Sequence, residues 1–280
     1  FAFGALFSWG FGDFFIQRTT RLIGTWKALL CITGLGAVAL FPFIRDDLQH
    51  LTVQEISLLW LVTVITLFAA LFDLEALKRG KIAIIEPIMG MELPITVGLS
   101  TLIWKEQVTL FQLLFIACTF VGITLAITNH HTHLHRRIYE KGVLFAGLGT
   151  IAMALVNFTT GVASQETSPI ITIWFVHTGL AVFCVIYLTI QRKWGSFHKE
   201  LRLHSLPILL QSICDNAAWL FYASAMTIIP ISIATTISES YIILTSLLGI
   251  VVNHERLNPH QWLGIVIAII SILLLSVTTS

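Results

Sequence analysis

Charge is scarce in this chain. Only 11% of its 280 residues are Asp, Glu, Lys or Arg, against about 25% in a soluble domain. Those charges nearly cancel, to a formal +1, so bulk charge says nothing about partners. No basic patch with interleaved aromatics is present, and nucleic acid is not an expected partner. Cysteine is sparse as well. Cys31, Cys118, Cys184 and Cys214 stand singly inside apolar runs with no C-x-x-C spacing, which predicts small core residues rather than disulfides or ligands. The H-E-x-x-H and G-x-S-x-G motifs and paired-metal spacings are missing, which argues against an intramembrane enzyme and predicts no cofactor.

Apolar sequence is what remains. Hydrophobic residues make up 56% of the chain and the mean hydropathy is +0.87. They come in runs of about 18–25 residues, the length that crosses a bilayer as helix, such as "LLWLVTVITLFAALF" at 58–72. Membrane β-strands would be about ten residues with alternating polarity. The chain therefore reads as an all-α polytopic membrane protein. Turn residues and charges mark ten candidate transmembrane spans, near 1–16, 24–44, 55–77, 81–104, 109–128, 141–163, 169–190, 205–228, 230–252 and 260–278. The longest polar connections are 45–55, 129–141 and 191–204.

Shifting the chain by 149 residues, the distance from Glu106 to Glu255, lays "KEQVTLFQLLFIA" (105–117) over "HERLNPHQWLGIV" (254–266). Gln112 then meets Gln261, Phe72 meets Phe221, Ile88 meets Ile237 and Gly12 meets Gly161, all without gaps. The repeat unit is five spans, 1–128 and 141–280, joined by a polar His-rich linker at 129–140. An odd span count turns the second copy upside down, a frequent transporter design with the substrate site near the midplane. Span 6 starts near Lys141, so span 1 is expected to begin before Phe1. Thr109 with Gln112, and Asn258 with Pro259 and Gln261, read as capping boxes that start spans 5 and 10. Glu106 and Glu255 read as part of the same structural turns.

On these residues the chain resembles the drug/metabolite transporter superfamily, EamA type. Each half ends with a small, apolar fourth helix, a glutamate, a polar turn and a fifth helix, here "ELPITVGLSTLIWKEQVTLFQLL" (92–114) and "SYIILTSLLGIVVNHERLNPHQWLG" (240–264). Pro94 and Pro87 match the proline the family often has in span 4, and Lys27 in "GTWKALL" matches an early basic residue in span 2. Span 9 lacks the central proline, and acids inside the spans are unusually many. The resemblance implies a secondary transporter of small metabolites, commonly an exporter of amino acids, amines or toxic compounds, in the cell inner (plasma) membrane.

An ionisable group in the bilayer costs at least about 2.5–3.5 kcal/mol by insertion scales, so it faces the bundle interior or a cavity. In span 4, Glu86, Gly90, Pro94 and Gly98 recur every four residues. Glu92 lies about 120° round the helix from Glu86 and need not share its space. The repeat sets Glu239 of span 9 on Gly90, so Glu86 and Glu239 are the expected midplane carboxylates and the candidates for exchanging a proton during a transport cycle. Asp215, Trp219 and Tyr222 share a face of span 8, and Tyr222 maps onto Asp73 of span 3. Span 7 supplies Trp174 and His177, with His177 next to the register position of Lys27. Ser8 maps onto Asn157, and Tyr241 follows Glu239 in span 9. Together these residues predict a substrate cavity. Each has a plainer reading: Lys27 neutralising an acid, His177 as a hydrogen-bonded core histidine, and Trp174 and Trp219 as packing or interfacial residues.

Anionic walls with aromatic faces suit a cationic or zwitterionic amine, or an amino acid. The expected partners are that small molecule, the lipid bilayer and protons, with the protein a monomer or homodimer. A lipid or glycolipid flippase is the alternative within transport, and a non-transporting receptor the alternative outside it. "HHTHLH" (130–135) offers imidazoles, but no second cluster of suitable spacing supports a metal site. Lys and Arg gather in the loops after odd-numbered spans, whereas those after even-numbered spans hold only Arg45 and Lys105. The positive-inside rule then puts the odd loops in the cytoplasm, opposite to what the resemblance implies.

Overall fold

The computed structural model describes residues 1–79, 88–127, 141–244 and 258–279. Every regular element among them is helical. In lipid a helix satisfies its own backbone N–H and C=O groups, which an open strand does not. The helices are α1 (Ala2–Ile23), α2 (Thr25–Ile44), α3 (Val53–Arg79), α4 (Glu92–Leu102), α5 (Leu110–Ile127), α6 (Lys141–Glu166), α7 (Pro169–Ile190), α8 (Trp194–Leu203), α9 (Ser205–Met226), α10 (Ile231–Glu239) and α11 (Pro259–Val277). A 3₁₀ turn covers Asp47–His50.

Among the described residues five stretches are long and apolar enough to cross a membrane: 25–44, 53–76, 142–166, 169–190 and 259–277. Shorter apolar helices cover 110–126 and 231–244. The 22-residue helices α1 and α9 are equally long, but their sequences include Asp13, Arg18, Gln211 and Asp215. The surface is inverted relative to a soluble protein. Phe3, Phe7, Phe11 and Phe14 form an exposed stripe on α1, while Ala5, Trp9 and Ile16 turn inward. On α11, Val266, Ile270 and Leu273 are exposed and Gln261, Gly264 and Ser271 are buried. Lipid tails give apolar side chains no reason to hide, so small and polar residues fill the interfaces. Buried threonines accept this cheaply by bonding their own helix: Thr33 to Leu29 O, Thr63 to Leu59 O and Thr66 to Val62 O.

Four helix pairs dominate the packing: α1 with α9, α3 with α6, α2 with α7 and α5 with α11. The α5–α11 pair meets at Gly122 and Gly264. A Cβ on Gly122 would lie 2.8 Å from Gly264 O, and one on Gly264 would lie 2.5 Å from Gly122 O. Both expected capping boxes form. Thr109 N donates to Gln112 Oε1 at 2.9 Å, and Asn258 N to Gln261 Oε1 at 2.9 Å. Each cap glutamine also reaches the far end of the partner helix, Gln112 to Thr278 O and Gln261 to Ala126 O.

Four features differ from the expected spans. α1 runs on to Ile23, past the expected end near residue 16, and stops at Gly24, whose φ of 85° ends the helix. The polar connection after α7 contains α8, which buries Phe197 and exposes Lys199 and Arg202; its period is helical, but it is too short and polar to read as a span. The expected continuous span 9 breaks at Ser240 after α10, and span 4 breaks at Gly90–Met91 before α4. Pro94 therefore lies in the first turn of α4, where its missing N–H costs no helical bond, rather than in a helix interior. Glu86, Pro87, Glu255 and the histidines of 130–135 lie outside the described residues.

Candidate functional site

α1, α2, α3, α4, α6, α7, α9 and α10 surround a cavity of about 160 Å³. Small threonine and alanine side chains, Thr33, Thr66, Ala70 and Thr160, leave space in its wall, and Ile32, Val156 and Leu180 close it. Five carboxylic acids line it, one from each of five helices: Asp13 on α1, Asp73 on α3, Glu92 on α4, Asp215 on α9 and Glu239 on α10. No Lys or Arg lines it among the described residues. Trp9, Trp219 and Tyr241 supply aromatic wall.

The helix breaks deliver the two glutamates. Glu92 is the first residue of α4, and Glu239 the last of α10. Both are buried, and their carboxyl groups are in hydrogen-bond contact. Such a contact between two carboxyls needs one proton between them. Asp73 and Asp13 are the next acidic neighbours of Glu92. Asn157, 1% exposed, stands against Glu239, and its Nδ2 meets no well-placed acceptor. Gly149 holds α6 against α3 here, since a Cβ at Gly149 would lie 2.0 Å from Asp73 Oδ1.

Glu106, in the turn before α5, reaches the other end of α10. Its carboxylate accepts from Ile231 N, from Ser232 N at 3.1 Å and from Ser232 Oγ at 2.8 Å. It thereby supplies the cap that Pro230 lacks and anchors the helix that carries Glu239.

Of the residues singled out in the sequence, Asp73, Glu92, Asn157, His177, Asp215, Trp219, Glu239 and Tyr241 line this one cavity. The remaining described ones lie elsewhere. Lys27 donates to Glu200 at 2.6 and 2.8 Å and to Ser196 at 3.0 Å, so the cation is used up by α8, an element the sequence did not reveal. Trp174 donates its indole N–H to Ala37 O at 2.9 Å. Tyr222 is fully buried behind the wall, bonded to Thr235 at 2.6 Å and edge-on to Trp9. Gly90 is buried in the span 4 break and Ser8 is half-buried on α1; neither lines the cavity. Trp9 and Asp13 went unnoticed, although an acid one turn from a tryptophan inside an apolar run was a readable signal.

A crystal structure, one of 28 matching solved chains, superposes with a TM-score of 0.73 over 99% of this chain and 96% of the other, at 13% identity. At that identity the likeness is one of fold. No curated protein matches. The model of the EamA-like transporter family matches residues 1–128 and again 140–277. The chain thus belongs to the EamA-like family of the drug/metabolite transporter superfamily, and is a multi-pass membrane transporter.

Proposed function

We propose that the protein is a secondary transporter of a small organic cation, an amine or the ammonium end of an amino acid, working by alternating access between two inverted five-span halves. The observation that carries the reading is the cavity wall: five carboxylic acids and three aromatic rings, with no lysine or arginine among the described residues. A protein cation would ordinarily offset buried acids. For Glu92 and Glu239 that role falls to the cargo and to protons, and indole and phenol faces suit an ammonium by cation–π attraction. The volume matches that of an engineered cavity of about 150 Å³ that holds one benzene, which favours a small solute over a lipid.

Several features support the inverted halves. Exchanging spans 1–5 with spans 6–10 turns the α1–α9 contact into α6–α3 and returns α2–α7 and α5–α11 to themselves. The helix breaks at Gly90–Met91 and Ser240 fall at the same register, since 240 − 149 = 91. Broken helices at a midplane site are a recurrent way to aim helix ends at a charged solute.

Glu92 and Glu239 are the proposed proton-exchanging pair: a cation entering displaces the proton they share, and its departure readmits one. Export is the direction the resemblance implies, and the plasma membrane the site. The basic ends of α1 and α3, with α8, face the cytoplasm by the positive-inside rule. Proteoliposomes test the reading. Organic-cation flux should be driven by a pH gradient and lost in Glu92→Gln and Glu239→Gln. Flux that persists unchanged in both variants removes the pair from the mechanism.

A further inference from the structure

His177 is 4% exposed and lines the cavity. Its Nδ1 lies 2.9 Å from Asn216 Oδ1. That amide cannot turn over without penalty, because its Nδ2 already donates to Ile32 O at 2.9 Å and to Ser212 O at 2.7 Å. Reversal would set its oxygen against two carbonyl oxygens and its NH₂ against the ring. Asn216 therefore offers an acceptor to Nδ1, and Nδ1 must carry the hydrogen. On a neutral ring the remaining nitrogen, Nε2, is then an acceptor. Among the described residues Nε2 has no hydrogen-bond partner. Gly36 of α2 makes the clamp possible. A Cβ there would stand 2.1 Å from Asn216 Oδ1 and 2.3 Å from His177 Nδ1, so only a glycine lets α2 close on both side chains.

We infer that Gly36 and Asn216 lock His177 so that its Nε2 lone pair faces the cavity, forming a subsite for the N–H of a protonated amine. The inference rests on the organic-cation reading of the cavity and sharpens it. Carboxylates and aromatic rings attract any organic cation, including a quaternary ammonium. A ring lone pair adds attraction only for a cation that can donate. It leaves a quaternary ammonium without its hydrogen bond and presents Nε2 unsatisfied, a cost binding sites use for discrimination. The transporter should therefore prefer primary, secondary and tertiary ammonium ions over quaternary ones. Asn216 is a positioning residue: it touches the ring, not the cargo.

Two measurements test this on the purified full chain. ¹⁵N-histidine spectra of the amine-free protein, with His177 identified by difference against His177→Phe, should show a neutral ring protonated at Nδ1. In Asn216→Leu that ring should shift toward the Nε2–H form. A wild-type ring protonated at Nε2, or at both nitrogens, overturns the subsite, and an unmoved ring in Asn216→Leu overturns the role of Asn216. Thermal-shift titration with triethylammonium and methyltriethylammonium, which differ by one N–H replaced with N–CH₃, needs no variant. The former should act at about tenfold lower concentration in wild type, the value of one charge-assisted hydrogen bond, and the difference should vanish in His177→Phe. Equal potency in wild type rejects the subsite while leaving the organic-cation reading intact. No response to either cation rejects that reading and the subsite with it.

Discussion

Acids shielded wholly or in part from solvent occur in two kinds of place in this protein. Glu200 on α8 meets Lys27 at 2.6 Å, and Glu106 meets the amides at the start of α10. The chain itself supplies the partner in both cases, and the acid ties one element to another. In the cavity, Glu92 meets Glu239, with Asp73 and Asp13 as further neighbours. There acid stands against acid, and no Lys or Arg lines the wall among the described residues. Acids that hold the fold together are satisfied from within, whereas Glu92 and Glu239 face each other and, on the proposed function, answer to a proton or a bound cation. Burial separates the two kinds only in part, since Asp13 in the cavity wall is half-buried like Glu200 and Glu106; the neighbours of each acid complete the distinction.

Substitutions sharpen the contrast. The largest effect should come from Glu239→Gln, which is expected to lower organic-cation flux in proteoliposomes about 10- to 100-fold, the worth of one charge-assisted contact. Because it replaces a carboxyl that needs a shared proton to sit against Glu92 with an amide that donates to Glu92 outright, thermal unfolding in detergent should occur at the same or a higher temperature, the usual sign of a residue kept for activity. Lys27→Met should do the reverse. It leaves Glu200 without a cation and should cost about 1–3 kcal/mol, between the values for exposed and buried pairs, since the Glu200 side chain is 26% exposed. Adding Glu200→Gln should recover most of that loss, and flux should fall far less than for Glu239→Gln. Glu106→Gln weakens the cap of α10 and should cost about 1 kcal/mol, with a modest drop in flux because α10 positions Glu239. Thr109→Ala, at the start of α5 and remote from the cavity, should cost about 0.5–1 kcal/mol and leave flux unaltered. If Lys27→Met silenced flux as fully as Glu239→Gln, the division between internal and external partners would fail.

Much of the site was legible because polar residues inside apolar runs have few places to go. Asp73, Asp215, Glu239 and His177 were marked by that cost together with the repeat register, and they meet in one cavity. Trp174 and Tyr222 carried the same signal but serve as support, because an indole N–H or a phenol can be satisfied by a neighbouring carbonyl or hydroxyl. Lys27 looked like a cavity residue only while α8 was hidden in a polar connection. Angular reckoning along a straight helix kept Glu92 among the cavity residues but out of the expected proton-exchanging pair, and the break at Gly90–Met91 makes that reckoning inapplicable.

By itself the sequence determined the helical class, the bounds of most spans and the capping of α5 and α11. Each follows from local chemistry: run length against bilayer thickness, and cap residues against unpaired backbone groups. Tertiary structure alone decided which acids meet. Glu92 and Glu239 are far apart in the chain and come together only because two broken helices end at one point, and Lys27 leaves the cavity only because α8 folds back over α2. Electrostatic partnership falls off within a few ångströms, so it is a property of packed helices rather than of the order of residues.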